Sequence, residues 1–390
     1  MVSIARKNLF FDLPRFIVAQ AGIMFAVGLV TIQTGIYNGF TRSSTILIDH
    51  AEADLWMAHE DMRHLDLTLP IPYRWATEAK TVEGVAEAEA LVSRGSIWRY
   101  AFGELSVIRI IGLDPQGDLF NPQPLVAGQL SDLDQPYTIT VDALDQESLD
   151  VSGINHTAEI GSYRARVVGI TDGVRSIVSN PFVFTSLENA NAFNSPIAPA
   201  SDSPDPPPPL SSESEISFVL IRATSDTSLA ALKQRLMNTF PGSRVVTQAE
   251  LAQITQDYWR NSTGVGYILG LGAVVGVIVG TVVVGQILYS SVADHIREFG
   301  TLKAMGSSDW FIYRVILEQA LWMAVLGYIP GMLLSMGVGS WTLNAQAIQI
   351  LINPVTAAAV FVVTVVMCSG AAIFAIQKVT RLDPAIVFKS

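Results

Sequence analysis

Apolar and polar positions are distributed very unevenly along this chain. Phe16–Tyr37, FIVAQAGIMFAVGLVTIQTGIY, contains no formal charge, and neither does Val265–Tyr289, VGYILGLGAVVGVIVGTVVVGQILY. Two further apolar stretches, 315–341 and 355–376, lie near the carboxyl end, the former punctuated by Pro330 and Gly331. A helix of about 20 apolar residues covers the hydrocarbon layer of a bilayer, and it tolerates Gly and Pro. The pattern therefore predicts membrane-spanning helices at 16–37, 265–289, 315–341 and 355–376, separated by one long polar segment, 38–264, and the short segment 290–314.

Within 38–264 the periodicity is that of water-facing structure. SVIRII at Ser106–Ile111 and YRARVVGI at Tyr163–Ile170 alternate as half-buried strands do. Further on, ISFVLIR at Ile216–Arg222 predicts a strand, Ser228–Thr239 a helix, Ser243–Thr247 a strand and Ala249–Trp259 a helix beginning near Gln248, with Pro241-Gly242 as a turn. This alternation beside a strand-rich part predicts an α+β domain. Between the two parts, 195–214 reads SPIAPASDSPDPPPPLSSES, whose proline and serine density predicts a disordered, extended insertion.

Lys and Arg near the span ends set the orientation. Arg6, Lys7 and Arg15 precede the first span, Arg297, Lys303 and Arg314 lie between the second and third, and Lys378, Arg381 and Lys389 follow the fourth, whereas 342–354 is uncharged. The amino-terminal segment 1–15, the loop 290–314 and the tail 377–390 are therefore read as cytoplasmic, and 38–264 as lying on the other side. The first span exceeds the usual length of a signal-peptide core, and no clear small-x-small site follows it, so it is read as a retained anchor.

Composition agrees with a mosaic of lipid-embedded and water-facing parts. Only 15% of the 390 residues are charged and 50% are hydrophobic, against about 25% charged in soluble domains. The segment 38–264 carries 15 Lys and Arg against 29 Asp and Glu; so acidic a surface has no counterion-release term for holding nucleic acid. Cys368, the only cysteine, excludes an intrachain disulfide and a cysteine-cluster metal site.

The sequence presents no catalytic constellation. No GxxxxGK[ST] loop occurs in these residues, so they hold no phosphate cradle of the common ATPase type. His59 and His64 stand near Glu60, Asp61 and Asp66, but their spacing is neither HExxH nor a zinc-ribbon pattern, and a solvated polar turn is expected. Gly272, Gly276 and Gly280 form small-xxx-small pairs suited to close helix packing. Glu318, one turn after Arg314, is placed for a helix-face ion pair near the start of the third span. The chain is accordingly read as a non-enzyme without cofactors of its own.

The loop Ser290–Arg314, SSVADHIREFGTLKAMGSSDWFIYR, puts Ile296, Phe299 and Leu302 on one helical face and ends that pattern at Gly306. Its core, IREFGTLKAMG, resembles the REIGxLKAxG signature of the FtsX/MacB-type ABC transporter permease family, and KVTRLDPAIVFK, Lys378–Lys389, resembles that family's carboxyl terminus. IARKNLFFDLPRF and NPFVFTSLENA are most similar to cyanobacterial DevC-like permeases. The resemblance implies a membrane protein of the inner (plasma) membrane, with four transmembrane helices and a large α+β, MacB-like periplasmic domain inserted between helices 1 and 2. It implies that Arg297, Glu298, Phe299, Gly300, Leu302, Lys303 and Gly306 couple to an ATPase, Phe299 replacing the commoner Ile. It further implies a homodimer of permease copies, a separate soluble ABC ATPase pair that binds ATP and magnesium, and a periplasmic membrane-fusion adaptor leading toward an outer-membrane channel. Export of a hydrophobic or glycolipid-like substrate by mechanotransmission is the expected function. An FtsX-like protein that regulates a periplasmic partner is the alternative.

Overall fold

Apolar side chains over 20 or more residues, with every backbone group bonded within the segment, leave a helix as the conformation able to span lipid. The computed structural model describes residues 13–100, 103–122, 124–195, 205–294, 309–346 and 350–380, and among them it has four helices long and apolar enough to cross a membrane. The chain divides into two compact units, Met1–Gly39 with Gly264–Ser390, and Phe40–Thr263.

The first helix, α1 (Leu13–Ser43), is followed by the short α2 (Ile46–Asp49) and then by the elements of the second unit. These are β1 (Leu55–His59), β2 (Ile71–Pro72), α3 (Arg74–Ala79), β3 (Val85–Arg99), β4 (Leu105–Leu113), β5 (Leu125–Ala127), β6 (Thr138–Asp142), β7 (Thr157–Ile160), β8 (Tyr163–Thr171) and β9 (Phe182–Ser186). After α4 (Leu187–Phe193) come β10 (Glu215–Ile216), β11 (Phe218–Ala223), α5 (Leu229–Thr239), β12 (Ser243–Thr247) and α6 (Gln248–Ser262).

One sheet of mixed direction runs β12-β1-β11-β3-β4-β9-β6-β8-β5, with β7 against β3 and β8. Its long strand β3 joins two halves: through Leu91 it pairs with β11, and from Val92 onward with β4. The strands β1, β11 and β12 lie in the same sheet as the larger part of the domain, so the proline-rich stretch does not separate two modules. Both faces of β1 are covered, Leu55 and Met57 on one and Trp56 and Ala58 on the other, all fully buried. A strand buried on both faces reads as a continuous apolar run rather than an alternating one.

The proline-rich stretch carries contacts that composition did not predict. Residues 196–204 lie outside the described residues, but from Asp205 onward the chain is attached to the domain. The Tyr137 hydroxyl donates to the Asp205 carbonyl (2.8 Å), Leu210 packs on the core, the Tyr73 and Arg74 amides donate to the Ser214 and Ser212 carbonyls, and Arg74 pairs with Glu213.

The membrane unit is completed by α7 (Val265–Asp294), α8 (Asp309–Gln346) and α9 (Pro354–Thr380). Small and branched residues fill its centre: Ala19, Ile23 and Ala26 of α1, Val284 and Leu288 of α7, Ile316 and Ala320 of α8, and Cys368, Ala371 and Ala372 of α9. Larger apolar side chains such as Phe25, Ile278, Leu333 and Val366 point outward, as a lipid environment favours. The protein is a multi-pass inner-membrane protein with a large periplasmic domain between its first and remaining spans.

Candidate functional site

The predicted coupling residues, Arg297, Glu298, Phe299, Gly300, Leu302, Lys303 and Gly306, lie in 295–308, outside the described residues. So does the family-like tail from Arg381, although Lys378–Thr380 close α9. The structure does describe the helices that flank this predicted coupling segment. It leaves α7 at Asp294 and enters α8 at Asp309, and Asp294 forms an ion pair with Arg15 near the start of α1. Val292 before the segment and Val315 and Ile316 after it are buried. Arg314 is exposed and Glu318, a turn further on, is partly buried.

Above this end the helices close on one another through glycines. A Cβ on Gly280 would lie 2.6 Å from the Ala26 Cβ and 2.5 Å from the Met367 sulfur, and one on Gly276 would lie 3.1 Å from Leu29. Gly272 lies against Gln33 in the same way. The three glycines spaced four apart on α7 therefore all face α1, as their spacing predicts. Several hydroxyls of the bundle are turned back on their own helices: those of Thr281, Ser335 and Thr364 donate to carbonyls four residues earlier. At the opposite end Asn38 of α1 donates to the Thr356 hydroxyl (2.9 Å), and Asn353 caps α9 by accepting from the Thr356 amide (2.7 Å).

The periplasmic unit gathers its chain ends through aromatic rings. Phe40 and Trp259 meet edge to face with centroids 6.0 Å apart, and His64 stacks on Tyr258 at 3.9 Å. His64 is 4% exposed, so it is not part of the solvated turn expected from the sequence. Burial holds its imidazole below the ordinary histidine range, although nearby Asp66 opposes this. Its Nδ1 accepts from the Asp66 amide (3.3 Å), and the Asp66 carboxylate sits 3.2 Å from Arg109 Nε on β4. His59 instead accepts from the Asp61 amide (3.2 Å). Among the described residues no group of three or more His, Cys, Asp or Glu side chains is arranged to hold a metal.

Local sequence explains how other segments are positioned. Thr247 and Glu250 form a reciprocal capping box at the start of α6, the threonine hydroxyl accepting from the Glu250 amide (3.1 Å) and the glutamate from the Thr247 amide (2.9 Å). In NPFVFTSLENA, Ser186 caps α4, while the fully engaged Asn189 accepts from the Tyr137 amide (2.7 Å) and donates to the Leu133 and Gln135 carbonyls. In the sequence this segment stands out only by its family resemblance; its packing role depends on contacts some 50 residues away.

Over residues 16–239 the chain matches the MacB-like periplasmic core domain, and over 270–384 the FtsX-like permease C-terminal. It is 26% identical over 166 residues to the pyoverdine export ATP-binding/permease protein PvdT of Pseudomonas savastanoi pv. phaseolicola, a match covering 43% of this chain and 25% of that protein. It is 22% identical over 217 residues to the macrolide export ATP-binding/permease protein MacB of Acinetobacter baylyi, covering 54% of this chain and 31% of that protein. The chain thus spans less than a third of the length of these curated relatives. Among solved structures it is similar to the periplasmic region of MacB from Actinobacillus actinomycetemcomitans, at 10% identity and a TM-score of 0.34, over 52% of this chain and 92% of that one. It is similar also to the extracellular domain of the transporter YknZ from Gram-positive bacteria, at 12% identity and a TM-score of 0.34, over 50% of this chain and 98% of that one.

Proposed function

This chain belongs to the FtsX/MacB-type family of ABC transporter permeases, and from that premise we propose that it is the permease subunit of an export system driven by a separate ATPase. The observation that carries the reading is the succession, on four apolar spans, of a MacB-like periplasmic core and an FtsX-like carboxyl-terminal portion. The curated relatives are named as export proteins that combine ATP-binding and permease functions. No Walker A element occurs within these 390 residues, which supports the reading that ATP and magnesium are bound by a separate nucleotide-binding subunit.

In this reading the segment 290–314 is the contact with the ATPase. Arg297, Glu298 and Lys303 supply charge, Phe299 and Leu302 supply apolar surface, and Gly300 and Gly306 complete the motif. Two permease copies work with two ATPase subunits. Closure of the ATPase pair moves the periplasmic domains, which act through a membrane-fusion adaptor on a hydrophobic or glycolipid-like cargo.

Affinity purification from native membranes, with identification of the retained proteins, tests the assembly. One ABC ATPase and one periplasmic adaptor are expected; a cell-wall hydrolase in place of the adaptor would instead establish the FtsX-like regulatory alternative. Glu298→Ala or Gly300→Leu is expected to lower transport-coupled ATP hydrolysis by about tenfold, as loss of a central interface contact does, while leaving membrane insertion unchanged. A wild-type coupled rate in both variants would remove these residues from the coupling role.

A further inference from the structure

The loop that follows β8, residues 172–178, is held by side chains on both sides. At its start the buried Asp142 accepts from the Val174 amide (2.8 Å), the Thr171 hydroxyl (3.3 Å) and the Leu144 amide (3.0 Å). In its middle Arg175 donates through Nη1 to the Leu144 carbonyl (2.9 Å) and places Nε 3.0 Å from Oδ1 of Asp145, whose side chain is 1% exposed. At its far end the Ser176 hydroxyl donates to the carbonyl of Ser43 (3.0 Å), the last residue of α1. The Ser43 hydroxyl donates to Ser176 Oγ (3.3 Å), and the Ile177 amide donates to Ser43 Oγ (2.6 Å). The final carbonyls of a helix have no partner within it, so Ser176 acts as a side-chain cap on α1.

Of these links, the Asp145–Arg175 pair is the one held by charge on both sides. We propose that Asp145 is the proton-operated catch of a strap, residues 172–178, that grips the end of α1, so that acidification outside the cytoplasm breaks the Asp145–Arg175 ion pair and loosens that grip.

The groups facing the catch are Arg175 from the loop and Asp142 from the end of β6, with Ser148 beyond; Asp172 faces Asp142 in turn. Burial pushes the Asp145 carboxyl up to about 6, Arg175 opposing the shift and Asp142 adding to it. Burial also raises Asp142, but its amide and hydroxyl donors oppose this. A proton taken up from the medium by Asp145 removes a buried charge, so the core beneath stays packed while Arg175, about a quarter exposed, keeps the Leu144 carbonyl and gains water. The response is thus confined to the strap and the turn it holds.

Hydrogen–deuterium exchange on the full chain in lipid nanodiscs, at pH 7.5 and pH 5 with correction for the intrinsic rate, tests this. Amides of 43–45 and 174–178 are expected to exchange about fivefold faster at the lower pH, the change corresponding to loss of a partly exposed ion pair, while β9 and α4 stay constant. Asp145→Asn should show the faster rate at both pH values. If that variant does not fold, Arg175→Gln removes the pair from the exposed side and should do the same. Equal exchange of the wild-type strap at the two pH values, or a pH response that survives in the folded variants, overturns the proposal.

Discussion

His64 and Asp145 are both buried in the periplasmic domain, and burial moves their proton affinities in opposite senses. Neutral His64 contributes stability above its unfolded value near 6.5, and that contribution is lost as pH falls below it. Asp145 behaves inversely: with its folded value raised from 3.8 to about 6, its ionised form costs stability above pH 6. That cost is relieved as pH falls toward the unfolded value. In the wild type the two slopes oppose one another as pH falls below about 6, so single variants are needed to expose them. Asp145→Asn is expected to unfold later than wild type at pH 7.5, by up to about 3 kcal/mol, and to converge with it near pH 4. His64→Phe should remove the loss of stability that sets in below pH 6.5. Both are read from thermal unfolding of the full chain across pH; parallel wild-type and variant curves would exclude these residues as the source. Neither environment was legible in the sequence. His64 lies in a locally polar stretch, and Tyr258 and Trp259, nearly two hundred residues away, pack against it; Asp145 meets its charged partner Arg175 on a loop that begins past β8.

Elements with a strong local period were the most readable. The alternation in SVIRII and YRARVVGI corresponds to β4 and β8, and the strand, helix, strand and helix predicted after residue 215 correspond to β11, α5, β12 and α6. The strand β3 escaped because VAEAEA, its first half, is built of Ala and Glu, residues that favour helix locally. Its conformation comes from β11 on one side and β4 on the other. The α1–α7 contact, by contrast, was announced by the glycine spacing. Because a Cβ on Gly280 meets Ala26 and Met367 at once, Gly280→Val is expected to destabilise the bundle by about 1–3 kcal/mol. Thermal aggregation in mild detergent measures this; an unchanged midpoint would show that the two helices have room to separate. The joint between α6 and α7 is also an element-scale feature. Gly264 adopts φ +66, where a side chain is disfavoured, so the last helix of the domain and the second span are not one uninterrupted helix.

For the whole molecule, the four spans and the intervening domain were legible because lipid imposes length and apolarity on the chain directly. The continuity of the periplasmic sheet was not, since it rests on pairings such as β1 with β12 that join the beginning of the domain to its end. The coupling residues were found by resemblance alone and stand as a proposal. The proline-rich stretch divides at Asp205: replacing 196–204 by Gly and Ser of equal length should leave the domain protease-resistant. The same replacement of 205–212 removes the Asp205 contact, Leu210 and the native side chains around the Ser212 link, with an expected cost of about 1–3 kcal/mol. Equal resistance of both replacements would reduce those contacts to bystanders. The meeting of Phe40 with Trp259 has a consequence of a different kind. A domain whose first and last residues are neighbours is a cassette: exchanging it for another needs two adjacent junctions and no long bridging chain. Permeases of this plan can therefore diversify what they do outside the cytoplasm by recombination at that single doorway, while the membrane-spanning sequence is inherited unchanged.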